Sequence, residues 1–189
     1  ENVSFSADVS HEDNLNTDSE RDVARVGSEY KRNKLTLTAD ATIAEDTDAN
    51  GQQYTSETIG LGASQKLLSD KLRLHARSEF QINETPTNVD YPTRHTLGAD
   101  YTVNKYAELF AEQEWADSDV LETRTSRAGV RAIPWANTSM ISSLERRRGE
   151  SDDRTFAVFG LTQTVPISER WKASFGYDQT HTLQKTTLN

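Results

Sequence analysis

Cysteine is absent from the sequence, which removes disulfides, thiolate metal ligands and cysteine nucleophiles together. Long apolar runs are absent as well: no stretch approaches the roughly eighteen consecutive apolar residues of a spanning helix, so a helical membrane protein is excluded. Positive charge is scarce. The 189 residues carry 21 Lys and Arg against 30 Asp and Glu, a formal net charge of -9. Binding to phosphate backbones needs Lys and Arg clustered on one surface, and nucleic acid is therefore excluded as a partner. Neither an initiator Met nor a charged, apolar leader precedes Glu1, as in a mature or trimmed polypeptide.

Low apolar content (34%) combined with net charge is one signature of disorder. Here, however, aromatic and β-branched residues are evenly spread and interleaved with polar ones. The period is two nearly everywhere. Lys71 to Ile82 puts Leu72, Leu74, Ala76, Ser78, Phe80 and Ile82 on one parity and Lys71, Arg73, His75, Arg77, Glu79 and Gln81 on the other. Lys34 to Ile43 repeats it, with Leu35, Leu37, Ala39, Ala41 and Ile43 on the apolar side. The same alternation covers Asn2 to Asp13, Arg21 to Asn33, Tyr54 to Ser69, Thr93 to Asn104, Tyr106 to Ser118 and Leu121 to Pro134. It continues over Ala136 to Gly149, Thr155 to Ile167 and Trp171 to Gln184. The pattern predicts an all-β, antiparallel up-and-down protein of about eleven strands and no helix, with boundaries good to about two to four residues. Strands of a dozen residues exceed the roughly nine to eleven that a tilted strand needs to cross a bilayer.

Connections divide into two sets. Acidic ones at His11 to Glu20, Asp46 to Gln53 and Glu84 to Pro92, with shorter ones at Ser118 to Val120 and Glu150 to Asp153, alternate with tight turns. The turns fall at Arg32 to Lys34, Ser69-Asp70, Val103 to Lys105, Pro134 to Ala136 and Ser168 to Arg170. Short turns on one side and longer loops on the other orient a membrane barrel, with Asn2 on the periplasmic side. Seven of the nine glycines (Gly27, Gly60, Gly62, Gly98, Gly129, Gly160, Gly176) lie within strands on the polar parity, where glycine relieves crowding and permits curvature. On the apolar parity, Tyr30, Tyr101 and Trp171 fall near one set of strand ends and Phe80 and Trp115 near the other, the placement of aromatic girdles.

With these features the sequence resembles the Gram-negative outer-membrane β-barrel class, porin-like in architecture. Two segments, Arg127-Ala128-Gly129-Val130-Arg131-Ala132-Ile133-Pro134-Trp135 and Arg154-Thr155-Phe156-Ala157-Val158-Phe159-Gly160-Leu161, look similar to barrel regions of large bacterial surface proteins. The resemblance implies an outer-membrane location in a Gram-negative bacterium, contact with outer-membrane lipid and lipopolysaccharide, and residues 1–189 as a single, incomplete segment of a transmembrane barrel. The end Thr187-Leu188-Asn189 lacks the terminal aromatic of outer-membrane proteins. Counting upward from Asn2, the strand Trp171 to Gln184 runs outward, and an unpaired edge in lipid leaves costly backbone groups unsatisfied. At least one more strand is therefore expected, from the remainder of the same protein or from a second copy.

On the polar parity, Lys71, Arg73, Arg77, Glu79, Asp100, Glu108, Glu112, Glu114, Arg127 and Arg131 are candidate lumen-lining residues. They form either an electrostatic constriction that filters solutes or a mutually neutralising ladder, and their mixed signs imply weak ion selectivity. Asp46, Asp48, Asn50, Gly51 and Glu57 match a calcium-loop pattern, D-x-[DN]-x-[DN]-G-x5-E, in which staggered oxygens and a closing carboxylate surround Ca2+. That loop ordinarily lies between helices, whereas both flanks here are strands, so a plain solvated hairpin loop is the competing reading. His11, His75, His95 and His181 share no metal-ligand spacing, and no G-x-S-x-G elbow, phosphate loop or H-E-x-x-H occurs. An enzyme is not expected. The functional candidates are a channel or conduit wall for solutes or partner chains, a non-conducting anchor or surface-display barrel, and a soluble β-sandwich or adhesin. The many Ala, Ser and Thr residues on the apolar parity suit lipid tails better than a soluble core.

Overall fold

In a computed structural model the described residues are 1–14, 19–48, 50–82, 93–118, 121–150, 152–168 and 171–187. Eleven strands form one antiparallel sheet in sequence order: β1 (Asn2–Asn14), β2 (Ser19–Arg32), β3 (Leu35–Thr47), β4 (Gln53–Leu67), β5 (Leu72–Gln81), β6 (Thr93–Asn104), β7 (Ala107–Ser118), β8 (Leu121–Ala132), β9 (Thr138–Gly149), β10 (Asp152–Pro166) and β11 (Lys172–Thr187). Each strand pairs with its neighbours in sequence, and β1 and β11 are the end strands. None of the described residues is helical, and no helix is long and apolar enough to cross a membrane. Strand lengths run from 10 to 16 residues.

The chain divides into two compact units. The first comprises Glu1–Gln65, His75–Thr96 and Trp115–Glu122. Its hairpins pair without a register shift: β1 with β2 from Asn2↔Lys31 to Asn14↔Ser19, β2 with β3 from Glu20↔Thr47 to Arg32↔Leu35, and β3 with β4 from Leu35↔Gln65 to Thr47↔Gln53. Because side chains alternate, that register stacks Ala7, Val26, Ala41 and Ile59 in one row and Val3, Tyr30, Leu37 and Ala63 in another. The opposite face carries Asp8, Arg25, Thr42 and Thr58.

The second unit comprises Lys66–Leu74, Leu97–Glu114 and Thr123–Asn189. Its rows on the apolar face are Ala128, Leu144 and Ala157, then Ala132, Met140, Leu161 and Tyr177. A bulge between Thr155 and Phe156 shifts the β10–β11 register, so Leu183 falls outside the pairing.

Burial falls mainly on the polar parity. Among the described residues, the buried side chains are Thr42, Ala44, Ser56, Asp100, Phe110, Ala116, Thr123, Thr125 and Thr138, and all but Thr138 lie on the polar parity. Large apolar side chains on the other parity are exposed, among them Phe5 (82%), Val26, Leu37, Leu61, Leu97, Leu109, Leu144 and Phe175. The more closely packed side is thus the polar one, with Phe110 as an apolar exception on it and Glu57, Arg146 and Arg148 as charged exceptions on the other.

The turns correct one expectation. At one end of the sheet the connections 33–34, 68–71 and 105–106 are short, but 133–137 and 167–171 take five residues each. At the other end 119–120 and 150–151 take two. Length therefore separates the two ends only for the first three hairpins, because β9 starts at Thr138 and β10 at Asp152, displaced from the expected Ala136 and Thr155. Charge separates them throughout: one set of connections holds six carboxylates and no Lys or Arg, the other four basic and two acidic residues.

Candidate functional site on the polar face

The polar face of each unit is tied together by arginines that reach across a strand. In the first unit, Arg77 of β5 donates from Nη2 to both carboxylate oxygens of Asp40 on β3, at 2.8 and 3.0 Å. Its Nε donates to Glu79 at 2.8 Å. The intervening strand β4 presents Gly60 directly opposite Asp40. A Cβ at that position would lie 2.5 Å from the Arg77 Nη2 and 2.7 Å from the Asp40 Oδ2. Gly60 is the gap through which the ion pair closes.

In the second unit, Asp100 of β6 is 1% exposed and receives two arginines. Arg73 of β5 lies 2.8 Å from Oδ2 through Nη2 and 3.0 Å through Nε. Arg131 of β8 donates to Oδ1 at 2.7 Å and to Glu108 of β7 at 3.0 Å. To reach Asp100, Arg131 passes over β7, and its guanidinium carbon stands 4.1 Å from the centre of the Phe110 ring. An apolar ring on the polar parity is otherwise out of place; here its face carries a cation. Arg127 of β8 completes the series, 3.3 Å from Glu112 and 3.7 Å from Glu145.

Of the ten residues singled out on this face, Arg73, Arg77, Glu79, Asp100, Glu108, Glu112, Arg127 and Arg131 enter these clusters. Glu114 is half-buried on the same parity of β7, and Lys71 stands exposed in the turn before β5. Asp40, Phe110 and Glu145 complete the clusters and were not singled out from sequence. The signal for Asp40 was Gly60, which shares its register and its parity.

The five aromatics expected to form girdles lie at or beside strand ends on the apolar parity. Tyr30 is opposite Val3 and Leu37 near the β2–β3 turn, Tyr101 is exposed near the end of β6, and Trp171, 72% exposed, precedes β11. Phe80 meets His95 edge-on at 5.5 Å, and His95 Nδ1 is 3.0 Å from the Ser78 hydroxyl. Trp115 is half-buried towards the end of β7.

The residues of the calcium-loop pattern are dispersed. Asp46 lies within β3, opposite Tyr54 and 3.5 Å from Arg21, while Glu57 sits in β4 opposite Ile43 on the apolar face. Asp48 Oδ1 accepts the backbone N–H of Asn50 and of Gln52, each at 2.9 Å, and Gly51 takes a φ of 75°. Those hydrogen bonds hold the Asp48 carboxyl below its ordinary value, chiefly through Gln52. Ala49 lies outside the described residues. Among the described residues, no group of three or more His, Asp or Glu side chains is placed to hold a metal ion.

Chemically, the polar face offers fixed, paired charges held by arginines among the described residues. No protein-family model matches the chain, and no curated protein matches it.

Proposed function

We propose that this chain is part of the wall of a Gram-negative outer-membrane β-barrel, its polar face lining a conduit for solutes or partner chains and its apolar face set in lipid. The observation that carries this reading is the burial pattern: large apolar side chains exposed on one face, with Thr, Ser, Ala, Asp and one Phe buried on the other. Each large apolar side chain left in water forgoes about 1.5–3 kcal/mol of burial free energy, and a face built of many of them demands a cover. Hydrocarbon supplies that cover without requiring shape complementarity. Strands of 10 to 16 residues have the length to cross it.

The sheet's end strands supply the second condition. Strands β1 and β11 each have one paired neighbour in the sheet order. Their outer backbone groups need partners in a bilayer core. In an up-and-down order, strands one and eleven run in the same direction. Antiparallel closure therefore calls for an odd number of further strands, from the same protein or a second copy, in keeping with the even strand number of bacterial single-chain barrels.

A second reading, a non-conducting anchor or surface-display barrel, is favoured by the closed arginine–carboxylate ladders, which tie the polar face together across strands. Planar-bilayer recording of the full-length protein separates the two. A conduit gives stepwise conductance with weak preference between cations and anions, whereas a silent bilayer supports the anchor. Full aqueous solubility without detergent, with no mobility change on boiling before electrophoresis, would overturn both.

A further inference from the structure

In the second unit, a groove of about 570 Å³ runs across strands β6 to β10, lined by residues of the apolar parity and also by Thr155 and by Glu112, Arg127 and Glu145 of the polar parity. Its floor is made by the small side chains Ala99, Ala111 and Ala128, and Leu97 and Leu144 stand along it. Arg146 lines the same groove. It lies two residues beyond Leu144 on the same parity of β9, about 7 Å further along the strand at about 3.4 Å per residue. A guanidinium has no role on a lipid-facing parity unless something anionic meets it there.

Arg146 is not alone. Arg148 shares its parity and is directly opposite Arg124 of β8 in the register. Like charges facing each other across a strand pair are destabilising, a cost that nearby carboxylates reduce. Asp153 is the anion in the structure: it lies 2.6 Å from Arg146 Nη2 and 3.0 Å from its Nε, and 3.4 Å from Arg148 Nη2. One carboxylate thus serves two guanidiniums whose side chains remain 55% and 59% exposed. Each guanidinium has five N–H donors, so the pair retains donors and one unit of positive charge beyond what Asp153 takes.

We propose that this groove, together with Arg146 in its lining and Arg148 two residues further along β9, forms a docking site for an anionic, phosphate-headed membrane lipid. One acyl chain lies on the Ala99–Ala111–Ala128 floor, and the phosphate bridges Arg146 and Arg148. The site rests on the membrane-wall reading and adds to it a lipid class and a place. The 7 Å offset between Leu144 and Arg146 matches the step from acyl chain to phosphate. Charge selects the headgroup, since the groove itself accepts any hydrocarbon chain.

The test uses the full chain refolded in a nonionic detergent and examined by native mass spectrometry with added phosphatidylglycerol, phosphatidylcholine or inorganic phosphate. Wild-type protein is expected to retain phosphatidylglycerol about tenfold more than phosphatidylcholine, the discrimination of one charge-assisted contact. The double variant Arg146→Gln, Arg148→Gln should lose that preference. Ala128→Phe, which fills the groove and leaves the arginines, should also lower retention about tenfold, and it carries the test if the double variant does not fold. Equal retention of the two lipids, or retention unchanged in the folded variants, overturns the proposal. Displacement of phosphatidylglycerol by equimolar inorganic phosphate overturns it too, in favour of a free-anion site. Failure of the wild-type chain to enter vesicles would sink the wall reading itself, whereas insertion without lipid retention sinks only the site.

Discussion

At the scale of single residues, the account depends on charges held where water is scarce. Asp100 is buried between Arg73 and Arg131, and both arginines remain partly open to solvent. Asp100→Ala removes the shared acceptor and leaves two guanidiniums facing each other. The loss is about 2 kcal/mol in a urea titration of the folded protein in micelles, the scale of a hydrogen bond to a charged group. A variant as stable as wild type would show that the cluster contributes nothing. Gly60 makes a sharper case, because a methyl group there meets both partners of the Arg77–Asp40 pair. Gly60→Ala and Arg77→Gln should each destabilise, and the double variant should be little worse than either alone. Strict additivity of the two would mean that Gly60 does not act through the ion pair. The parity of these groups was legible in sequence, since alternation alone assigns Arg73, Arg77, Asp100 and Arg131 to one face. The partnerships were not, because pairing between strands that are not neighbours depends on which intervening residue leaves room.

At the scale of elements, the strands were legible and their ends were not. Alternation over ten or more residues gives few ways to err within β3 or β5. The start of β10 was missed because Asp152, Asp153 and Arg154 look like loop residues, although their backbone pairs with Arg148, Arg147 and Thr187. Two members of the calcium pattern, Asp46 and Glu57, belong to paired strands and lie on opposite faces of the sheet. Turn chemistry leaves a clear target at the β4–β5 connection, where Leu68, Ser69 and Asp70 all have positive φ, from 51° to 71°. Side chains with a Cβ are disfavoured there by about 1–2 kcal/mol, partly offset by the added freedom of glycine in the unfolded chain. Ser69→Gly should therefore raise stability by about 0.5–1 kcal/mol, read as a higher urea midpoint at unchanged slope. An unchanged or lower midpoint contradicts the strain. The β3–β4 loop predicts a pH dependence. Because the Asp48 carboxyl is held below its ordinary value, its hold on the loop is complete above that value and is lost as pH falls through the depressed one. The amide resonances of Asn50 and Gln52 should shift over that acidic range in wild type and stay still in Asp48→Ala. Identical titrations in both proteins would refute the capping role.

At the scale of the whole molecule, the central claim is that the apolar face meets hydrocarbon and the polar face meets water. The absence of cysteine makes this directly measurable, since any single introduced cysteine is the sole labelling site. Spin labels placed in turn on Val26, Leu37, Leu61, Leu97 and Leu109, and on Thr38, Thr42, Gly62 and Glu108, report local exposure to oxygen and to a water-soluble nickel chelate in lipid vesicles. The account predicts alternation: the first set reached by oxygen and shielded from nickel, the second open to nickel or sterically closed. Free access of nickel to Leu37, Leu61 and Leu97 in the vesicle-bound protein would contradict it.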